Sequence, residues 1–427
     1  MIVIYSVLSS LLYPFLILYI YLRKNFEKED PQRYKEKIFI SHYNIINKNN
    51  NRLIWFHAAS IGEYKSIIPI IEKLKNNYAN LQILITTTTL SSGNLASKEI
   101  KRFTHVNHRF LPLDVPFLID KFLYLWKPDR IFLVDSEIWP NLILKAKKYN
   151  IPIAIINARL TAKSYYKWMR FPKAAKKIFG LFDLCLCSNE ETKNYLSELN
   201  VKNVFYKGNI KLITKINTNK IDNINENILL NKRFWFAASI HKNENIFCLQ
   251  THIDLKKKYK DLITIIAPRH LENTKEILNL SKKFNLKVQM LNENDKILVG
   301  KEVIIINFFG ALQSYFKYAN SVFMGKSMIE ELKKEGGQNP IEAAKLNCKI
   351  YHGPYVYNFN EIYELLNHKN ISQKIKNYKE LSSYLSVDLE NPIKRKNQNL
   401  DPINSLGEKT LNDTMKIVDV FLKNENN

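Results

Sequence analysis

Cysteine and metal-binding patterns are scarce in this sequence, and their scarcity narrows the possible classes of protein. The 427 residues include only four cysteines, with no C-x-x-C spacing, and the nine histidines show no metal-ligand spacing. A disulfide framework and a zinc site are therefore not expected. Cys185 and Cys187 lie two apart in an apolar run, which favours two buried structural thiols in one strand.

Acidic residues are also too few to balance the basic ones. Asp and Glu total 40 against 64 Lys and Arg, which gives a formal net charge of +24. A strongly basic surface attracts phospholipid headgroups, phosphorylated substrates or nucleic acid. The length predicts two domains, and the hydrophobic fraction of 46% is enough for two cores.

The amino terminus lacks the features of a cleaved secretory signal, because no positive region and no small-residue cleavage site are evident. Residues 2–22 form an uncharged, mostly apolar run long enough for one membrane-spanning helix. Basic residues follow at Arg23, Lys24, Lys28, Arg33, Lys35 and Lys37. The positive-inside tendency predicts a single anchor helix at 1–22, a basic juxtamembrane segment at 23–50 and the rest on the cytoplasmic side. Tyr, Ser and Pro residues dilute the run, so a helix lying in the interface is the alternative.

Short apolar strands alternate with amphipathic helices from about residue 50, which is typical of α/β proteins with parallel sheets. The predicted strands are 52–57, 81–86, 130–135, 153–157, 184–187, 203–206, 233–238, 262–267, 287–291, 303–307, 321–324 and 349–351. They predict a first domain at 51–213, a linker at 214–231, a second domain at 232–402 and a last helix in 403–427 that could cross back to the first. This layout resembles GT-B enzymes, in which two Rossmann-type domains face a ligand-binding cleft.

Polar residues at the predicted strand ends are the candidates for chemistry, because ligands of open α/β sheets bind there. Glu63 follows the first strand and a run of small residues, where its carboxylate can accept a proton as a general base. An acid favoured by the dipole of the first helical turn is the alternative. Asp135 and Glu137 follow another strand, and a helix cap is the ordinary explanation for an acid there.

The second half offers a candidate anion site. Ser239 and His241 follow one predicted strand, and Arg269 follows another. Glycines at 336 and 337 precede a predicted helix whose N–H groups could meet a phosphate, while Glu342 could bind ribose hydroxyls. Residues 325–327 read Gly-Lys-Ser, but Asn320 stands where a Walker loop needs glycine, so that motif is incomplete.

Residues 159–177 combine basic and aromatic side chains and contain no acid. Such a mixture suits an anionic lipid interface and also single-stranded nucleic acid. A solvated basic helix face is the third interpretation.

Eight stretches, taken together and in order, resemble the 3-deoxy-D-manno-octulosonic acid (Kdo) transferase family of lipopolysaccharide biosynthesis. They are WFHAASIGE (55–63), VDSEIWPNL (134–142), INARL (156–160), GNIK (208–211), AASIH (237–241), APRH (267–270), GGQNPIEAA (336–344) and HGPYVYNF (352–359). The resemblance implies a membrane-anchored inverting glycosyltransferase at the cell inner membrane, which moves Kdo from CMP-Kdo to the lipid A precursor lipid IVA. It implies no metal, no cofactor and no nucleic-acid partner.

The resemblance also implies roles for individual residues. Glu63 would be the proton acceptor, and Glu137 and Lys211 would stabilise the transition state. The residues implied for CMP and the donor are Ser239, His241, Pro268, Arg269, Phe309, Gly310, Ala311, Gly337, Asn339, Pro340, Ile341 and Glu342. Those expected to meet the acceptor and anionic lipids of the inner membrane are Arg159, Lys163, Lys167, Trp168 and Arg170.

The sequence departs from the family pattern in the donor half. Ile240 and Asn243 replace a Thr and a Gly, Asn307 and Ala311 replace two acids, and Gln338 stands where His is frequent. These changes affect the details of CMP binding. The alternatives are a related transferase with another nucleotide sugar, a membrane-tethered nucleic-acid-binding protein and an inactive relative.

Overall fold

A computed structural model of the chain describes residues 1–43, 51–214, 216, 218, 221–390 and 401–423, with the side chains of 401 and 402 left out. Parts of the expected juxtamembrane segment (44–50), linker (215, 217, 219 and 220), second domain (391–400) and last helix (424–427) lie outside the described residues. The chain divides into two compact units, Met1–Lys215 with Asn404–Asn427, and Ile216–Ile403.

The first unit contains a seven-stranded parallel sheet in the order β3-β2-β1-β4-β5-β6-β7. Its strands are β1 Leu53–His57, β2 Gln82–Thr87, β3 Val106–Phe110, β4 Arg130–Val134, β5 Ile153–Ala158, β6 Leu184–Cys187 and β7 Val204–Tyr206. Its helices up to this point are α1 Ile2–Leu11, α2 Tyr13–Asn25, α3 Ile61–Asn77, α4 Leu90–Glu99, α5 Pro116–Trp126, α6 Pro140–Lys148, α7 Ala162–Trp168, α8 Pro172–Phe179 and α9 Glu190–Glu198. The central strands are buried along their whole length, as expected when helices cover both faces of a parallel sheet.

The second unit repeats this architecture with the order β10-β11-β9-β8-β12-β13-β14. Its strands are β8 Phe234–Ile240, β9 Ile263–Pro268, β10 Val288–Leu291, β11 Val303–Ile306, β12 Ser321–Met324, β13 Lys349–His352 and β14 Ser372–Lys374. Its helices are α10 Glu226–Asn231, α11 Asn245–Lys258, α12 Thr274–Lys283, α13 Leu312–Phe316, α14 Ile341–Lys345, α15 Asn360–His368 and α16 Tyr378–Glu390.

The last helix, α17 (Asp401–Lys423), belongs to the first unit. Its apolar side packs into one of the two cores that flank the first sheet. Phe421 lies edge-on to Phe132 of β4, with ring centroids 5.4 Å apart, and its carbonyl accepts a hydrogen bond from the Arg130 side chain. The carboxyl-terminal segment therefore completes the cover of a sheet whose strands lie some 200 residues earlier in the sequence.

The single anchor helix expected at 1–22 is wrong in one respect, because the segment forms two helices bent by 61° at Leu12. Pro14 lies in the first turn of α2, where its ring is incompatible with a helix continuing from the preceding turn. Among the described residues, no helix alone has the length and apolar character needed to cross a membrane, whereas α1 and α2 meet that test only as a bent pair.

Polar contacts attach α1 to the first unit. Tyr5 donates a hydrogen bond of 2.9 Å to the Asp114 carboxylate, and Ser6 donates one of 2.6 Å to the Asn141 side-chain oxygen. Asn141 in turn donates to the Ser9 hydroxyl at 3.1 Å. The large apolar side chains of both helices that remain exposed are Val3, Ile4, Tyr5, Val7, Leu8, Leu11, Leu12, Phe15, Leu18, Tyr19, Tyr21 and Leu22.

Two basic residues of the expected juxtamembrane segment form ion pairs within the first unit. Lys37 is buried, where it pairs with Glu29 and donates to the carbonyl of Thr88. Arg33 pairs with Glu36 at 2.8 Å. The basic character of residues 23–43 is therefore partly neutralised by internal acids.

We expect Phe421→Ala to lower the free energy of unfolding of the first unit by about 3 kcal/mol, because it removes a buried ring from the core under α17. The neighbouring Val420→Ala is the matched control and should change it by less than about 0.5 kcal/mol, because Val420 is 59% exposed. Urea unfolding followed by tryptophan fluorescence measures both, since Trp55, Trp126, Trp139 and Trp168 lie in this unit. Equal losses in the two variants would contradict the packing of α17.

Candidate functional site

Each sheet has a point at which the strand order reverses, and the candidate residues gather there. In the first unit β1 lies between β2 and β4, so the loops after β1 and β4 leave the sheet side by side. In the second unit the reversal falls between β8 and β12. Ligands of open α/β sheets bind at the carboxyl ends of strands at such reversal points.

Glu63 lies in the first turn of α3, directly beyond β1, and is largely buried. Its carboxylate accepts hydrogen bonds from the Ala59 backbone N–H and the Ser60 hydroxyl, both at 2.8 Å. Ser60 caps the helix and accepts the Glu63 backbone N–H. Glu63 therefore fulfils the ordinary role of a first-turn acid, and its position does not by itself distinguish a cap from a base.

The electrostatic environment makes Glu63 unusual for a capping residue. Burial, with the negative charges of Asp135 and Glu137, raises its pKa to about 7 despite the opposing hydrogen bonds from Ser60 and Ala59. A carboxylate with a pKa near neutrality is a suitable general base, because it is both ionised and basic at physiological pH. Three acids from the loops after two adjacent strands therefore share one edge of the sheet.

Lys211 is held at this edge by Asp135. Its ammonium donates a hydrogen bond of 2.7 Å to one oxygen of the Asp135 carboxylate, and Asn157 donates one of 2.7 Å to the other. The side-chain oxygen of Asn157 accepts the Ile210 backbone N–H at 3.0 Å. This network joins the ends of β4 and β5 to the short helical turn that carries Lys211, and it leaves the Lys211 and Asp135 side chains only 15% and 12% exposed.

Glu137 is fixed by a second set of partners. Trp139 donates from its ring nitrogen to the Glu137 carboxylate at 2.8 Å, and His57 Nε2 lies 3.3 Å from the same oxygen. The other ring nitrogen of His57 lies 2.9 Å from the Thr86 hydroxyl. The carboxylate is therefore oriented by a fully buried histidine at the end of β1.

In the second unit, basic groups gather at the ends of β8, β9 and β12. His241 follows β8, with its ring centroid 5.6 Å from that of His270, and the Gln338 side-chain nitrogen lies 3.3 Å from His241 Nε2. Burial and the positive charges of Lys326, His270 and Arg269 lower the pKa of His241 to about 4. Ser239, which precedes this loop, is buried and adopts a left-handed backbone at a bulge in β8.

The other residues expected at the donor site lie on neighbouring strand ends of the second unit. Pro268 ends β9, and the backbone N–H of Arg269 donates to Ile240 at 2.9 Å. Phe309 and Gly310 are exposed beyond β11, whereas Ala311 is buried. Glu342 accepts a hydrogen bond from Gln313 at 2.8 Å, which links α14 to α13.

The glycine-rich turn before α14 uses its N–H groups within the protein. Gly337 donates to the carbonyl of Lys326 at 2.7 Å, and Ile341 donates to the Asn339 side chain at 3.0 Å. Pro340 has no N–H, and α14 has only five residues. The helix amino terminus that was expected to bind a phosphate is thus a short turn, which is hydrogen-bonded to the loop after β12.

The basic segment 159–177 forms α7 and α8. Lys163, Lys167 and Arg170 are exposed, whereas Arg159 is half-buried beside the Asp135 loop, with its N–H donating to the Asp135 carbonyl at 3.1 Å. Trp168 is half-buried and packs edge-on against Phe179 at 5.2 Å. The aromatic side chains that this segment exposes are Tyr166 and Phe171.

Four structural participants have no role implied by the family resemblance: Asp135, Asn157, His57 and Lys326. Asp135, Asn157 and Lys326 adopt left-handed backbone conformations although they are not glycines. Strained backbone of this kind concentrates at functional sites, but the sequence letters do not reveal it. For His57, the signal in the sequence is a polar residue at the end of an apolar strand.

Comparison with known proteins agrees with this architecture. Residues 32–214 match the family model described as 3-deoxy-D-manno-octulosonic-acid transferase (kdotransferase). A 3-deoxy-D-manno-octulosonic acid transferase of Rickettsia bellii is 29% identical over 98% of this chain and 97% of its own. The Haemophilus influenzae protein of the same name is 30% identical over 73% of each chain. A solved glycosyltransferase structure from Rickettsia africae covers 88% of this chain and all of its own, with a TM-score of 0.58 at 12% identity, and shares the fold.

The relatives and the family model are named as transferases of one sugar, so the chain, with its two Rossmann-type parallel sheets, is a glycosyltransferase. The chain belongs to the 3-deoxy-D-manno-octulosonic acid transferase family, and it is an enzyme.

We expect Glu63→Gln to gain stability relative to wild type as pH rises from 5 to 8. The folded protein keeps the Glu63 proton up to about pH 7, whereas the unfolded chain releases it near its ordinary pKa of 4.5, so wild-type stability is lost across this interval. Glutamine removes that loss, and the difference in free energy of unfolding should change by about 2 kcal/mol. Urea titrations at several pH values measure it.

Glu190→Gln is the control, because Glu190 is an exposed acid in the first turn of α9. Parallel pH profiles for the two variants would contradict the assignment of a raised pKa to Glu63.

Proposed function

We propose that this enzyme transfers Kdo from CMP-Kdo to a hydroxyl group of the lipid A precursor lipid IVA, in lipopolysaccharide biosynthesis. Membership of the family supports the sugar and the donor. The observation that carries the mechanism is Glu63, a buried carboxylate with a pKa of about 7 at the reversal point of the first sheet.

In the proposed step, Glu63 accepts the proton of the acceptor hydroxyl as its oxygen forms a bond to C2 of Kdo. The bond between C2 and the phosphate oxygen breaks on the opposite side, and CMP leaves with the electron pair. The anomeric centre is therefore inverted without a covalent enzyme intermediate. Positive charge that develops on the sugar ring is favoured by the carboxylates of Glu137 and Asp135.

Lys211 and Glu137 are proposed to stabilise this transition state. The Asp135–Asn157 network fixes the ammonium of Lys211, and Trp139 with His57 fixes the carboxylate of Glu137. Groups that are oriented before the reaction need no reorganisation as charge develops. In the second unit, Arg269, His241 and the 337–342 turn are proposed to bind CMP.

We also propose that α1 and α2 attach the enzyme to the cytoplasmic face of the inner membrane. Polar residues of α1 bind Asp114 and Asn141, and the apolar side chains that α1 and α2 expose project from the first unit. Lys177 of the basic helix α8 lines the same groove of about 460 Å³ as Ile2, Val3 and Leu11 of α1. Apolar side chains flanked by exposed cations suit an anionic phospholipid surface, which also holds an acylated, phosphorylated acceptor.

Glu63→Gln is expected to lower kcat by at least 100-fold while leaving the Kd for CMP within about twofold, because a base acts only in the chemical step. Arg269→Ala should do the reverse, raising the Kd for CMP by about tenfold. Labelled Kdo transfer, with CMP-Kdo generated in situ and lipid IVA as acceptor, measures kcat, and calorimetry measures CMP binding.

Unchanged turnover in Glu63→Gln would remove the assignment of the base. A folded wild-type enzyme that binds UDP and not CMP would instead indicate a different nucleotide sugar.

The double variant Leu11→Glu/Phe15→Glu is expected to lower the fraction of protein bound to vesicles containing phosphatidylglycerol by about tenfold. Both side chains are more than 60% exposed on α1 and α2, and a buried charge opposes insertion into the membrane interface. Val387→Glu is the matched control, because Val387 is 65% exposed on α16 of the other unit. Co-sedimentation measures all three proteins, and wild-type binding by the double variant would exclude this attachment surface.

A further inference from the structure

We infer that Lys326 is a further donor-binding residue, whose ammonium binds the phosphate of the CMP moiety. The inference rests on the donor assignment proposed above and adds to it a cation outside the residues implied by family resemblance. Lys326 is the second residue after β12, on the opposite side of the strand reversal from His241.

The backbone around Lys326 is fixed by close packing. A Cβ on the preceding Gly325 would lie 2.5 Å from the Ser239 carbonyl oxygen and 2.8 Å from the Ile240 Cα, so only glycine allows the end of β12 to approach the end of β8 this closely. The next residue, Lys326, then adopts φ +59°. A lysine adopts this left-handed conformation only at a cost in conformational free energy, and a glycine at the same position would avoid that cost.

Hydrogen bonds hold Lys326 on both sides. Its N–H donates to the Glu244 carboxylate at 2.7 Å, and its carbonyl accepts the Gly337 N–H at 2.7 Å. Glu244 is fully buried and also accepts the N–H groups of His241, Ser327 and Met328. The loop after β12 is therefore fastened both to the His241 loop and to the glycine-rich turn, so the Lys326 side chain starts from a defined position.

Positive charge accumulates around this position. The charge of Lys326 is the largest electrostatic influence that lowers the pKa of His241, ahead of those of His270 and Arg269. Basic side chains that follow β9 and β12 thus lie close enough to the His241 ring, at the end of β8, to disfavour its protonation. The same positive charges would attract an anion bound among these strand ends.

The nucleotide phosphate is the anion that fits this location. The strand ends of the second unit are proposed to bind CMP, and the phosphate is the charged group of CMP. Lysine ammonium groups commonly bind phosphate in proteins. Glu244 lies in the same corner, but its carboxylate is engaged by four backbone N–H groups.

Calorimetric titration with CMP and with cytidine tests the inference in the full-length, detergent-solubilised enzyme. Lys326→Gln is expected to raise the Kd for CMP about tenfold and to leave the Kd for cytidine unchanged, because only CMP carries the phosphate. Lys326→Arg should keep the Kd for CMP within about threefold. The matched control is Lys283→Gln, at an exposed position at the end of α12, which should bind both ligands as wild type does.

The Lys326→Gly variant distinguishes a loss of CMP binding from a loss of protein stability. Glycine relieves the left-handed strain, so the melting temperature should rise by about 2 °C while CMP binds about tenfold more weakly. An equal loss of CMP and cytidine affinity in Lys326→Gln, or no loss of either, would overturn the inference. So would a higher KM for CMP-Kdo with an unchanged Kd for CMP, because the ammonium would then bind the sugar carboxylate. If wild type binds no CMP, the donor assignment itself fails.

Discussion

Burial of the Glu63 carboxyl group beside the carboxylates of Asp135 and Glu137 is the constraint on which the candidate site of the first unit depends. Asp135 is balanced by the ammonium of Lys211, and Glu137 is held by Trp139 and His57. The hydrogen bonds to Glu63 come from a backbone N–H and a hydroxyl, which are neutral donors. Burial raises the pKa of Glu63, the negative charges of Asp135 and Glu137 add to the effect, and no cationic partner of Glu63 opposes it among the hydrogen bonds described above.

Left-handed backbone conformations mark the same places in both units. Asn157 and Ser239 lie at bulges in β5 and β8, and Asp135 and Lys326 follow β4 and β12. Bulges next to a site redirect side chains, and strained residues persist only where surrounding packing requires them. These four are among the described non-glycine residues with positive φ, and they lie at strand ends beside the candidate sites, which accords with a role in binding and catalysis.

Much of the fold could be predicted from sequence because the central strands are buried on both faces and appear as continuous apolar runs. The two strands that were not predicted are the edge strands β3 and β14. Alternate residues of β3 are only partly buried, and β14 has three residues, of which only Ser372 is buried. Neither produces an apolar run, so hydrophobic periodicity gives no signal.

For the candidate site, the order of the sequence motifs was enough to predict which loops carry the site residues. It was not enough to predict which of these residues contact one another. The pairing of Lys211 with Asp135 joins positions 76 residues apart, and the strain at Lys326 depends on how closely Gly325 approaches β8. Both follow from tertiary packing and have no local sequence pattern. The bend at Leu12 is different, because Pro14 is visible in the sequence and a proline disfavours continuation of the helix that precedes it.

The return of α17 to the first unit has a consequence for the order of events during synthesis. The second unit is one continuous stretch of chain, whereas the first is built from both ends of the sequence. On the ribosome, all strands of the first sheet emerge while the apolar face that α17 covers is still open. The second unit can therefore complete its core before the first one does, and a fragment that ends at residue 214 would leave that face permanently uncovered.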